Sequence, residues 1–150
     1  MRDAEFTSDL MLLALEGSKA TSARRLDSAY KKYEDEFPLA DACAKRVSGV
    51  MEVLSKVFHE HASVKRLTKR MWVYSFFDAI QQIRLGGPLE GPKKPKRTLG
   101  LSTLRRVAYS VNAELEAGEI PEELSKATRG AANDMQSRDV RSEHLIDHLS

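Results

Sequence analysis

Apolar positions recur with a helical period along almost the whole chain. Phe6, Leu10 and Leu13 stand at i, i+4 and i+7; Asp3 and Glu5 suit the first turn of such a helix and Gly17 its C-terminal stop. A short turn of small residues follows, and Ser22 is placed to cap a second helix whose apolar face is Leu26, Ala29, Tyr30 and Tyr33. Pro38 opens a third and longest helix, because proline is tolerated in a first turn. Its stripe is Leu39, Cys43, Val47, Val50, Leu54, Val57 and Phe58. A fourth helix follows the basic run Lys65 to Arg70 and carries Trp72, Phe76, Ala79, Ile80 and Ile83 before Gly86-Gly87-Pro88 ends it.

The segment 86–100 breaks every period. Gly86, Gly87, Pro88, Gly91, Pro92, Pro95 and Gly100 are interleaved with Lys93, Lys94, Lys96 and Arg97, which predicts an exposed, mobile basic loop. Ser102 is placed to cap a fifth helix with Leu104, Val107, Val111 and Leu115 on one face. Pro121 begins a weaker sixth segment through Leu124 and Ala127, and a last helix runs from about Met135 to Leu149. Alternation of the kind strands need is absent, as are internal repeats and a heptad array. The expected fold is all-α: one compact domain of six to seven helices, with a four-helix core over 1–85, the loop 86–100 and C-terminal helices over 101–150.

Composition narrows the class. Apolar residues make up 41% of the 150, charged residues 31%, and the mean hydropathy is −0.44, which suits a soluble globular domain. No apolar run approaches the roughly 18 residues of a membrane span. The charged first residues carry no secretory signal, so a cytoplasmic location and no membrane partner are expected. A single cysteine, Cys43, excludes an internal disulfide and a cysteine zinc cluster, and its place on an apolar stripe reads as a small buried hydrophobe.

Charge changes the picture more. Residues 62–113 hold 11 basic and 2 acidic side chains, net +9, between a first segment of −2 and a last of −5. Such a cationic block suits phosphate backbones. Its candidate contacts are Lys65, Arg66, Lys69 and Arg70, then Lys93, Lys94, Lys96 and Arg97, with Arg105 and Arg106 behind them. Trp72 or Tyr74 could stack on a base, although their spacing also fits a core.

Catalytic and metal candidates gather at the C-terminus. Arg138 is followed six positions later by His144, and Arg141 seven positions later by His148. Arginine can hold a phosphodiester while histidine moves a proton. Both pairs resemble the Arg–His motif of helical HEPN-type ribonucleases. His144 and His148 are also i, i+4, but the neighbouring Glu143 and Asp147 point to other faces, so no metal and no cofactor are expected. His59 and His61 read as caps at the C-terminus of the third helix.

The segment Arg2-Asp3-Ala4-Glu5-Phe6 through Leu15 resembles the Arg-x-Asp-x-Glu and aliphatic-helix stretch of GmrSD-type restriction proteins. The Leu26–Tyr33 pattern, the long helix ending at Phe58 and Trp72–Ile80 continue the resemblance over about 2–85, and more loosely to Arg138 and Arg141. In that family the helices follow a ParB/sulfiredoxin-like nuclease domain, whose Asp-Gly-Gln motif does not occur here. The resemblance implies the family's helical scaffold without its active site. The expected function is a non-catalytic interaction module of a nucleic-acid-targeting defence system, binding backbone and a protein partner or nuclease domain. A small ribonuclease using the Arg/His pairs is the alternative, and a two-fold homodimer joined by apolar stripes is a third possibility.

Overall fold

A computed structural model describes residues 2–19, 23–59, 61–129 and 134–150. Among the described residues seven α-helices follow in order: α1 (Arg2–Glu16), α2 (Ala23–Tyr33), α3 (Ala40–Val57), α4 (Arg70–Arg84), α5 (Leu101–Ala117), α6 (Glu122–Ala127) and α7 (Met135–Leu149). A 3-10 segment, His61–Leu67, lies between α3 and α4 and kinks at Val64. No strand occurs among the described residues, so the all-α expectation holds. None of the described helices is long and apolar enough to cross a membrane.

The centre of the bundle is α4, buried on nearly every side, with Trp72, Tyr74, Phe76, Phe77, Ala79 and Ile80 all at 1% exposure or less. It packs on α1, α3 and, most extensively, α7. Trp72 and Tyr74 are therefore core residues rather than a stacking surface. Cys43 is fully buried against the Met11 carbonyl, where desolvation pushes its thiol pKa up, as a structural cysteine requires.

One helix start differs from expectation. Ser102 lies within the first turn of α5, whose N-cap is Gly100 in extended conformation with no side-chain hydrogen bond. Ser22 lies outside the described residues. At the other end of the bundle Asp134 does cap α7, accepting from the Ser137 amide at 2.8 Å.

The basic segment 86–100 is not a free loop. Gly86 has φ +80, and a Cβ there would meet the Lys94 carbonyl at 2.9 Å, so glycine lets the chain turn sharply and pass close to itself. The Leu89 and Glu90 amides donate to the Ala14 and Leu15 carbonyls, Lys94 to Gly86, and Arg97 to Ile83. Leu99 is 5% exposed. Buried Gln81 braces the junction, donating to the Leu13 carbonyl at 2.9 Å and accepting from Arg46 at 3.2 Å. The segment is a strap, tied by its backbone and exposing its bases.

A polar seam joins α7 to α4. Arg138, 2% exposed, makes a two-pronged ion pair with Asp9 of α1, at 2.6 and 3.3 Å. Its guanidinium also stacks 3.7 Å above the Tyr74 ring centroid and donates to the Lys19 carbonyl. One turn on, fully buried Arg141 donates to the Ser75 hydroxyl at 3.1 Å and to the Ala127 carbonyl. Burial, with Arg138 nearby, pushes its pKa down to about 10. Asp78 completes the row at 2% exposure, accepting from Gln82 at 3.0 Å. Desolvation pushes its carboxyl above the usual range.

Magnitudes separate this seam from the surface pairs. An exposed i,i+4 pair such as Glu52–Lys56 contributes about 0.3–0.5 kcal/mol. Removing one partner of a buried pair costs about 3–5 kcal/mol, because the other charge stays desolvated. Asp9→Ala is expected to destabilise the chain on that scale in urea denaturation, several-fold more than Glu52→Ala. For Asp78 the raised folded pKa means that the folded chain holds its proton more tightly than the unfolded one. Its contribution is full below the unfolded value of 3.8 and is lost as pH rises through the folded value. Asp78→Asn should abolish that decline and raise the urea midpoint near neutral pH, read as midpoints across the acid-to-neutral range.

Candidate functional site

The strap sets its bases beside the start of α5. A cleft of about 400 Å³ is lined by Arg84, Lys96, Arg97, Thr98, Leu99 and Gly100. The first turn of α5 contains no acidic residue, and its N-cap offers no side-chain acceptor. Backbone N–H groups at such an end carry partial positive charge and can receive an anion. Arg97 is fixed in part by donation to the Leu149 carbonyl at the end of α7, at 2.9 Å. Lys94 reaches Gln82 at 3.5 Å.

Arg84 is shared with a second cleft, of about 430 Å³, between α3 and α4, whose lining also includes Lys45 and Arg46. Arg46 is a clamp, donating to Gln81 and the Gly87 carbonyl, and burial lowers its pKa. Lys45, Arg84, Lys93 and Lys96 are exposed, and among the described residues none of them forms an ion pair with a carboxylate. The positive surface thus extends from the strap across Arg84 towards Lys45. Sequence reasoning singled out neither Arg84 nor Lys45. Arg84 falls within the cationic stretch, but only the turn at Gly86 shows that it faces the strap.

The other candidates lie elsewhere. Arg66 and Lys69 line a separate cleft of about 520 Å³ with Arg129, Leu115, Ile120 and Glu122, sharing no lining residue with the strap cleft. Lys65 is exposed on the 3-10 segment, which docks through the Arg66 amide on Asn112 of α5 at 2.8 Å. Arg70 lies over the Phe6 ring, 5.3 Å from its centroid. Arg105 caps the end of α3, donating twice to the Lys56 carbonyl at 3.2 and 3.1 Å, while Arg106 is exposed. The cationic block, continuous in sequence, is therefore dispersed over separate clefts, a structural cap at Arg105 and exposed positions outside them.

The Arg/His pairs do not assemble as a ribonuclease site would need. Arg138 and Arg141 are buried in the seam and cannot reach a phosphodiester while α7 is packed. His144 and His148 instead converge on Glu114 of α5: His144 Nε2 lies 3.1 Å from Oε2, and His148 Nε2 lies 2.8 Å from Oε1. The two rings meet edge to face at 4.8 Å. Glu143 and Asp147 are exposed. His59 is exposed just beyond the Phe58 C-cap, while Glu60 and the His61 side chain lie outside the described residues.

No protein-family model and no solved structure matches the chain. It is similar to the heat-inducible transcription repressor HrcA of two strains of Rhodopseudomonas palustris, 33% identical over 109 residues. That similarity covers 72% of this chain but only 28% of each repressor, so the chain spans just over a quarter of the length of the relatives it matches.

Proposed function

We propose that this chain is a non-catalytic helical interaction module that binds nucleic-acid backbone through the strap and the start of α5. The observation that carries the reading is the cleft of Arg84, Lys96 and Arg97 around an α-helix N-terminus without a side-chain cap. Cations on a tied backbone meet a phosphate at a lower ordering cost than cations on a disordered loop. Lysine and arginine in this role neutralise charge and read no sequence. Lys93 and Lys94 extend the contact along the strap, and Lys45 extends it along α3.

Two further observations support the class. The similarity to a protein named as a transcription repressor points to a nucleic-acid-linked process. The resemblance of 2–85 to the helical scaffold of GmrSD-type restriction proteins, without their Asp-Gly-Gln motif, points to a defence system in which a partner domain performs the cleavage. In this reading the module positions that partner on the backbone.

Fluorescence anisotropy with labelled duplex DNA, single-stranded DNA and RNA tests the reading, with salt varied from about 50 to 200 mM. Replacing Lys93, Lys94, Lys96 and Arg97 together by Gln should weaken binding uniformly across probe sequences. On duplex DNA the log–log salt slope should flatten by about 0.9 for each phosphate that is no longer neutralised. Arg84→Ala should weaken binding in the same direction, and the probes should remain intact on a gel. Unchanged affinity in the fourfold variant would remove the strap as the interface.

A further inference from the structure

We infer that Glu114, His144 and His148 form a binding site for a divalent first-row transition metal, with zinc as the fitting occupant. Two imidazoles one helical turn apart on α7 and a carboxylate from α5 are a borderline-soft nitrogen and oxygen set, the kind zinc accepts. One ligand atom from each residue can be chosen so that all three lie within 4.8 Å of one another. Donors on one tetrahedral zinc stand about 3.3 Å apart, given bonds of roughly 2.0–2.1 Å. The two imidazole-to-carboxylate distances, 3.1 and 2.8 Å, run to different oxygens of Glu114 and lie near that spacing, so side-chain rotation would have to bring the set, now within 4.8 Å, together on one ion.

The surroundings favour a cation. Glu114 stands in the last turn of α5, a helix with no basic residue there, and His148 stands in the last turn of α7. Glu114 therefore meets the partially negative end of α5, whereas the end of α7 is already met by the Arg97 guanidinium on the Leu149 carbonyl. An anionic carboxylate at a helix C-terminus is electrostatically adverse, and a bound divalent ion would reverse the sign of that interaction. The three side chains are 17 to 30% exposed, so an ion can enter and water can complete its coordination. None of them lines the strap cleft, so this inference stands or falls apart from the proposed nucleic-acid interface.

The bound ion would join α5 to α7 where the two helices otherwise meet through the contacts of the two imidazoles with the Glu114 carboxylate. That is a folding contribution, and it leaves at least one coordination position open to water or to an added ligand.

The experiment uses the untagged full chain, stripped with EDTA and titrated with zinc against a chromophoric chelator, and with cobalt followed by its visible d–d bands. One zinc per chain in the micromolar range or tighter is expected, with a higher melting temperature in zinc. His144→Ala with His148→Ala should abolish the cobalt bands and weaken zinc binding by more than about 100-fold, beyond the effect of removing a residue that only orients a ligand. Glu114→Gln keeps the side-chain volume while removing the charge, so it decides the matter even if the double variant fails to fold. It should weaken zinc at least tenfold with helical circular dichroism unchanged. Zinc binding equal to the parent's in either variant, or no binding by the parent chain, overturns the site.

Discussion

The ion pair between Arg138 and Asp9 is the interaction on which the rest of this structure depends. A guanidinium is costly to bury, and this one is neutralised by a carboxylate 129 residues earlier in the chain and covered by the face of Tyr74. That single contact joins α1, α4 and α7. It sets the rotation of α7 about its own axis, which decides where every other residue of that helix points. Arg141 and Ser142 are turned to the core with it, and His144 and His148 are turned towards α5.

The strap depends on the same arrangement. Its last base, Arg97, rests on the carbonyl that ends α7, so the placing of α7 helps to place the positive cleft at the start of α5. At its other end the strap hangs on α1 and α4 through backbone bonds around Gly86 and Gln81. A segment that lacks periodicity can still be ordered when its amides find acceptors on neighbouring elements. Proline and glycine content reports the absence of helix, and says little about whether the backbone is held.

Burial divides the charged residues into two kinds. Arg46, Arg105, Arg138 and Arg141 use their guanidinia on carbonyls and side chains within the fold, and they act as clamps and caps. Lys45, Arg84, Lys93 and Lys96 present charge to solvent, and they make up the surface proposed to meet a polyanion. Arginine's rigid fork of donors suits the first task, and lysine's flexible stem suits the second, in which Arg84 is the one arginine among three lysines.

The helices themselves were legible in the sequence. The i, i+3, i+4 recurrence of Leu, Val and Phe, the stops at Gly17 and Gly86, and Pro38 before α3 express local backbone and side-chain preferences that neighbouring residues alone determine. The all-α class, the buried place of Cys43 and the boundaries of α4, α6 and α7 follow from them. The partnerships could not be read in that way. The pairing of Asp9 with Arg138, of Gln81 with Leu13, and of Glu114 with two histidines 30 or more residues away has no local signal, because such contacts depend on how helices cross. Linear spacing suggested a phosphodiester site at Arg138 and Arg141, and packing made them core residues instead. The sequence by itself determined which segments coil and which faces are apolar; only the tertiary structure decided which charges are spent inside the fold and which remain outside, because desolvation acts on positions in space.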